Sequence, residues 1–157
     1  MAEVHEGSCH CGAVTYAVET SLDGLMECNC SHCYRKGFVL AFAPRAAYTL
    51  KSGEDQLTEY RFNKHNIAHM FCKTCGVQPF GFGTGPDGGE MAAVNVRTLT
   101  DIEPWSWTAE RVDGRSFGWP RFTRGRATAA RSTMRSRRRW TARWSDATAS
   151  TAAARAL

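Results

Sequence analysis

Residues 71–76 read Phe71-Cys72-Lys73-Thr74-Cys75-Gly76, and this stretch decides how much of the chain must fold. A C-x-x-C turn closed by glycine presents two sulfurs on one side, and the glycine accepts the backbone conformation that lets amides approach them. Two thiolates make half of a tetrahedral metal site. The other half lies far upstream at Cys9-His10-Cys11, also followed by a glycine, Gly12. Four sulfurs at about 2.3 Å saturate zinc and leave no coordination position, so Cys9, Cys11, Cys72 and Cys75 predict a closed structural zinc site.

Three of the seven cysteines remain, in one run, Cys28-Asn29-Cys30-Ser31-His32-Cys33. Three ligands leave zinc a fourth position for water or substrate, as in catalytic zinc sites. Spacing fixes those three and does not exclude a fourth: His32, His10, His69 or a water would close the tetrahedron. Iron–sulfur cluster runs fit these spacings poorly. Iron in a four-thiolate site is the rival metal, and a redox dithiol at Cys72/Cys75 lacks the βαβ context it would need. An odd cysteine count also suits metal sites better than disulfides.

The first seven residues carry two glutamates and no apolar run, and no stretch approaches the roughly 18 apolar residues of a membrane span. These features predict a soluble, cytoplasmic protein with reduced thiols. The formal charge of +5 is a composite. Residues 1–113 hold nine Lys+Arg against fourteen Asp+Glu, a net of −5, whereas residues 114–157 hold eleven arginines against the single acid Asp146, a net of +10. The basic balance therefore belongs to the end of the chain and says nothing about partners of the cysteine-bearing part.

Within the cysteine-bearing part the patterns are those of short strands. Val14, Tyr16 and Val18 alternate with Thr15 and Ala17. Residues 38–42 form an apolar run; residues 57–62, with Tyr60 and Phe62 on one face, and residues 67–71 make the arms of a hairpin across 63–66. Residues 80–82 and 91–96 add strands on either side of a glycine-rich loop. A mainly β fold with little helix follows, with room for one short helix between Ser31 and Gly37. Residues 1–117 are expected to form one zinc-binding domain. Residues 118–157 lose the valines and isoleucines and any period, which predicts an Arg/Ala-rich tail that is disordered or non-native. Clustered arginines at 135–143 with Trp140 and Trp144 confine any nucleic-acid contact to that tail.

The residues Gly7-Ser8-Cys9-His10-Cys11-Gly12-Ala13-Val14, the Cys28/Cys30/Cys33 run with Arg35-Lys36-Gly37, Phe71 to Gly76, and Asn95-Val96-Arg97-Thr98-Leu99 together resemble the glutathione-dependent formaldehyde-activating enzyme family, which includes the centromere protein V type of domain. The resemblance spans about residues 4–116 and takes in every cysteine. It implies an Mss4-like β fold of short antiparallel strands, a structural zinc on Cys9, Cys11, Cys72 and Cys75, and a second, partly occupied zinc on the catalytic Cys28, Cys30 and Cys33. The implied reaction joins glutathione and formaldehyde reversibly, a carbon–sulfur lyase chemistry with a small thiol and a small aldehyde as partners. Non-catalytic members make a zinc scaffold for a protein or nucleic-acid partner the alternative.

Glutathione brings two carboxylates, for which Arg35, Lys36, Lys73 and Arg97 are the candidate cations. His32, between two ligands, is a candidate acid or base. Trp105, Trp107 and Phe117 read as core or edge aromatics that close the domain.

Overall fold

The alternation at residues 14–18 forms the centre of the molecule. The structure is a computed structural model that describes residues 1–117, with the Phe117 side chain outside the description. The tail and its arginine cluster lie outside the described residues. Ten strands run in chain order: β1 Glu3–Ser8, β2 Thr15–Thr20, β3 Leu25–Cys28, β4 Leu40–Pro44, β5 Tyr48–Ser52, β6 Leu57–Tyr60, β7 Ala68–Cys72, β8 Phe80–Thr84, β9 Glu90–Asn95 and β10 Ala109–Val112. One six-residue helix, α1 (Ser31–Lys36), sits between β3 and β4. The fold is mainly β, and among the described residues no helix is long and apolar enough to cross a membrane.

The strands form two sheets, β1-β2-β5 and β10-β3-β4-β9-β8-β7-β6. Tyr16, Val18 and Tyr48 of the first sheet pack against Ala41, Ala43, Phe80, Ala92 and Val94 of the second in one buried cluster. The Tyr48 and Phe80 ring centroids are 4.7 Å apart, and the buried Tyr16 hydroxyl is paired with Thr98 Oγ1 at 2.7 Å. Period-2 sequence produces this core directly, because alternate residues of a strand face the same side. Apolar burial on this scale, at about 25 cal/mol per Å², is what holds the two sheets face to face.

Two local readings change. The apolar run at 38–42 is strand only from Leu40, because Gly37, at φ 65°, ends α1 in the left-handed conformation and Phe38 N–H still bonds back to Cys33 O. The strands are not all antiparallel: β10 runs parallel to β3, with Val112 beside Cys28. Trp107 packs on the core as expected, but Trp105 is 77% exposed, with the Arg97 guanidinium 5.1 Å from its ring centre.

Candidate metal centres and the pocket beside one of them

Two β turns bring the four-cysteine set together. Cys9 N–H bonds to Val14 O at 3.0 Å and Cys72 N–H to Val77 O at 2.9 Å, so each Cys pair sits in a tight loop at the end of a strand. Gly12 and Gly76 take φ values of 77° and 72° and close these loops onto Cys9 O and Cys72 O. An L side chain rarely adopts that conformation, which is why each pair is followed by glycine. Cys9 Sγ lies 3.6 Å from Cys11 Sγ, and Cys11 Sγ 3.7 Å from Cys72 Sγ. A tetrahedron of sulfurs at about 2.3 Å from one ion has edges of about 3.8 Å, so the donor set fits a bound metal ion. Amides support the thiolate forms: Val14 N–H points at Cys9 Sγ at 3.3 Å, and the Val77 amide leads the interactions that hold Cys75 down at about 6.

Cys28, Cys30 and Cys33 form the second set, with all sulfurs within 4.8 Å of one another. Cys28 ends β3, Cys30 caps α1 and Cys33 lies in its first turn. Cys30 Sγ accepts from Cys33 N–H at 3.4 Å, and Cys28 Sγ from Cys30 N–H at 3.4 Å. The Cys33 thiol, followed by the amides of Cys33 and His32, holds Cys30 down at about 5. Donation to Cys30, reinforced by burial, drives Cys33 upward. One thiolate supported by neighbouring donors is the state a metal would meet. Among the described residues no histidine, aspartate or glutamate joins this set.

The far end of the domain presses on these sulfurs. Asn29 receives that segment: its Nδ2 donates to Asp113 Oδ1 at 2.8 Å, its Oδ1 accepts from Arg115 N–H at 3.2 Å, and its N–H bonds to Val112 O at 3.2 Å. Gly114 is thereby laid across the cysteines so closely that a Cβ there would overlap Cys28 Sγ and come within 3.0 Å of Cys30 Cβ. The parallel pairing of β10 with β3 is thus what builds this side of the site.

The three-cysteine set, with Val112 and Gly114 beside it, lines a cavity of about 440 Å³. Phe38, Leu40, Phe42, Phe62 and Ile67 contribute apolar walls, and Lys64 stands exposed in the loop between β6 and β7. The four-cysteine set has no place in this lining.

The model for the family described as glutathione-dependent formaldehyde-activating enzyme matches residues 4–111. The chain belongs to that family. The chain is also similar to a Rhodobacter sphaeroides protein of known crystal structure, at 31% identity and a TM-score of 0.61, over 68% of this chain and 99% of that one.

For a formaldehyde-activating family member, the cations singled out from sequence lie in unexpected places. Arg35 Nη1 donates to Ser31 O at 2.8 Å, Lys73 Nζ to Asp55 O at 2.7 Å, and Arg97 Nε to Gly37 O at 2.9 Å. Lys36 Nζ donates to Gln78 Oε1 at 3.3 Å and lies over the Phe71 ring. None of the four lines the cavity, whereas Lys64 does.

The histidines are also reordered. His32 meets Phe38 edge-on and lies tilted against Phe62 and, with ring centroids 4.1 Å apart, His69, with both ring nitrogens buried and unpaired. Burial and then His69 hold it down at about 4, so it is a neutral ring off the cavity lining. His69, on β7, does line the cavity. Because Gln78 Oε1 accepts from Lys36, its amide NH2 faces His69 Nδ1 at 3.2 Å, which leaves the proton of the neutral ring on Nε2. Burial, then Lys36, keep His69 neutral, near 4. Sequence reading passed over Gly114, Asn29, Lys64 and Gln78. Gly114 falls near the end of the range, about residues 4–116, over which the sequence resembles the family.

Proposed function

We propose that the chain is a zinc-dependent carbon–sulfur lyase that reversibly joins glutathione to formaldehyde or a related small aldehyde. One observation carries the reading: three cysteines facing a cavity, with no further protein ligand among the described residues. In this reading Cys28, Cys30 and Cys33 hold the catalytic zinc and Cys9, Cys11, Cys72 and Cys75 hold a structural one. Zinc at the three-cysteine set would keep a thiol as thiolate or polarise an aldehyde oxygen.

In the joining direction the sulfur–carbon bond forms, the carbonyl π bond breaks, and the proton given up by the thiol ends on the new hydroxyl. No oxidant or reductant is needed. His69 supplies the Nε2–H as a donor toward the aldehyde oxygen, Gln78 and Lys36 fix its tautomer, and the apolar walls limit water. Lys64 offers a cation to a glutathione carboxylate. The reading places the protein in the reducing, glutathione-rich cytoplasm.

Exchange NMR of glutathione, formaldehyde and their adduct with the zinc-loaded protein tests it. The expected result is exchange faster than the spontaneous rate, lost in Cys30→Ser. Exchange at the spontaneous rate would refute the lyase reading and favour a non-catalytic zinc scaffold.

A further inference from the structure

The cavity is not shaped for a one-carbon aldehyde. Its floor is the face of the seven-stranded sheet turned away from the core, and cross-strand partners there share a face. One row runs His69, Gly81, Ala93, Phe42 across β7, β8, β9 and β4. The next runs Asn95, Leu40, Met26 across β9, β4 and β3. On β8 the sequence Phe80-Gly81-Phe82 sends both rings toward the core cluster, leaving the floor bare at Gly81. Ala93, its register partner, adds only a methyl. Two small residues in the middle of a row flanked by larger side chains hollow out the floor.

The result, about 440 Å³, falls in the size range of pockets for ligands of many heavy atoms, about 300–1,000 Å³. Glutathione does not account for the apolar part of this interior, because its two carboxylates and ammonium need charged partners and its amides need polar ones. The described lining holds one ammonium, Lys64, no guanidinium and no carboxylate; its neutral polar side chains, Ser31, Asn63, Asn66, His69, Gln78 and Asn95, are set among walls of phenylalanine, leucine and isoleucine. Lys64 and Ile67 are exposed, Ile67 at 46%, so charge lies toward solvent and apolar surface inward.

We infer that the aldehyde half of the adduct carries a large apolar group, an aromatic ring or an alkyl chain of about six carbons, seated on the Gly81–Ala93 floor. This rests on the lyase reading for the reaction and on the cavity alone for the substrate class. The thiol sulfur and carbonyl carbon meet at Cys28, Cys30 and Cys33, the glutathione charges stay by Lys64, and the apolar group fills the interior.

The test compares binding of S-hexylglutathione and S-methylglutathione to the zinc-loaded full chain by calorimetry. Each fully buried methylene is worth about fourfold in affinity, so five would give about 1,000-fold; with part of the chain at the exposed rim, a hexyl preference on the order of 100-fold is expected. A preference below threefold, or no binding of the hexyl compound, overturns the inference. Ala93→Phe fills the floor and is expected to bring the preference below threefold, with metal content and far-UV circular dichroism as checks on folding. Ile67→Ser, on the exposed rim, removes apolar contact without adding charge and is expected to weaken the hexyl compound alone by about fivefold. A preference unchanged in both variants overturns the inference as well.

The two proposals fail separately. Hexyl preference without accelerated exchange for any aldehyde removes the lyase and keeps the apolar site; accelerated formaldehyde exchange without hexyl preference does the reverse.

Discussion

The four-cysteine and three-cysteine sets are built from the same atom type and differ in what lies next to them. Around the first lie paired turns, Gly12 and Gly76 at positive φ, amides aimed at sulfur, and the edge of the buried core, which takes in Cys9 and Cys72. Around the second, the backbone at Gly114 presses on the sulfurs and all three cysteines open onto a cavity. Ligand type therefore does not separate the two sets. The number of sulfurs per centre and the space left beside them do.

The sharpest way to break this comparison is to remove one sulfur from each. Cys72 is fully buried and joins the β7 end to a turn from the other sheet, so Cys72→Ser is expected to remove the cross-link and lower stability by several kcal/mol. Thermal unfolding should show a large fall in Tm or no cooperative transition. Cys30→Ser is expected to keep the folded dispersion of an NMR spectrum, lose one metal per chain and lose thiol–aldehyde exchange. Equal destabilisation by the two variants would erase the distinction.

Gly114→Ala probes the wall that only the second set has. Its methyl has no room beside Cys28 Sγ, and overpacking of this kind costs typically about 1–3 kcal/mol. The expected outcome is a drop of about tenfold or more in affinity for the second metal, about 1.4 kcal/mol, measured against a competing chelator. The four-cysteine site should bind as before.

What the sequence disclosed follows the range of the interactions. Cysteine spacing is local, so both ligand sets were legible, as was the Tyr16/Val18 alternation, whose partners the sheet supplies. The hairpin of residues 57–62 and 67–71 was legible because its arms are adjacent in the chain; it appears as β6 and β7, with Tyr60 opposite His69. The pocket was not, because its floor is a row across strands whose order β4-β9-β8-β7 only the folded sheet defines. Gly81 and Ala93 carry no chemical signal by themselves. Gly114 reaches Cys28 only through the parallel pairing of β10 with β3, and the sequence leaves Trp105 as core or edge, which the Arg97 guanidinium over its exposed ring decides for the edge.

Acid separates the two sides of the reactive centre by a smaller amount. His69 is held near 4, against about 6.5 when unfolded, first by burial and then by Lys36 and Arg61. A histidine kept neutral in the native state binds fewer protons folded than unfolded. Its contribution is complete above about pH 6.5 and is lost as pH falls through that value toward 4. Allowing for its partial access to the cavity, the loss is expected to be about 1–2 kcal/mol. A His69 ring signal in NMR that stays neutral to below pH 5 would agree, and one titrating near 6.5 would contradict it. In His69→Gln, the fall in stability between pH 6.5 and 5 should be shallower, with the four-cysteine metal still bound at pH 6.5. If that slope were unchanged, the acid sensitivity would belong to the thiolates and not to the pocket wall.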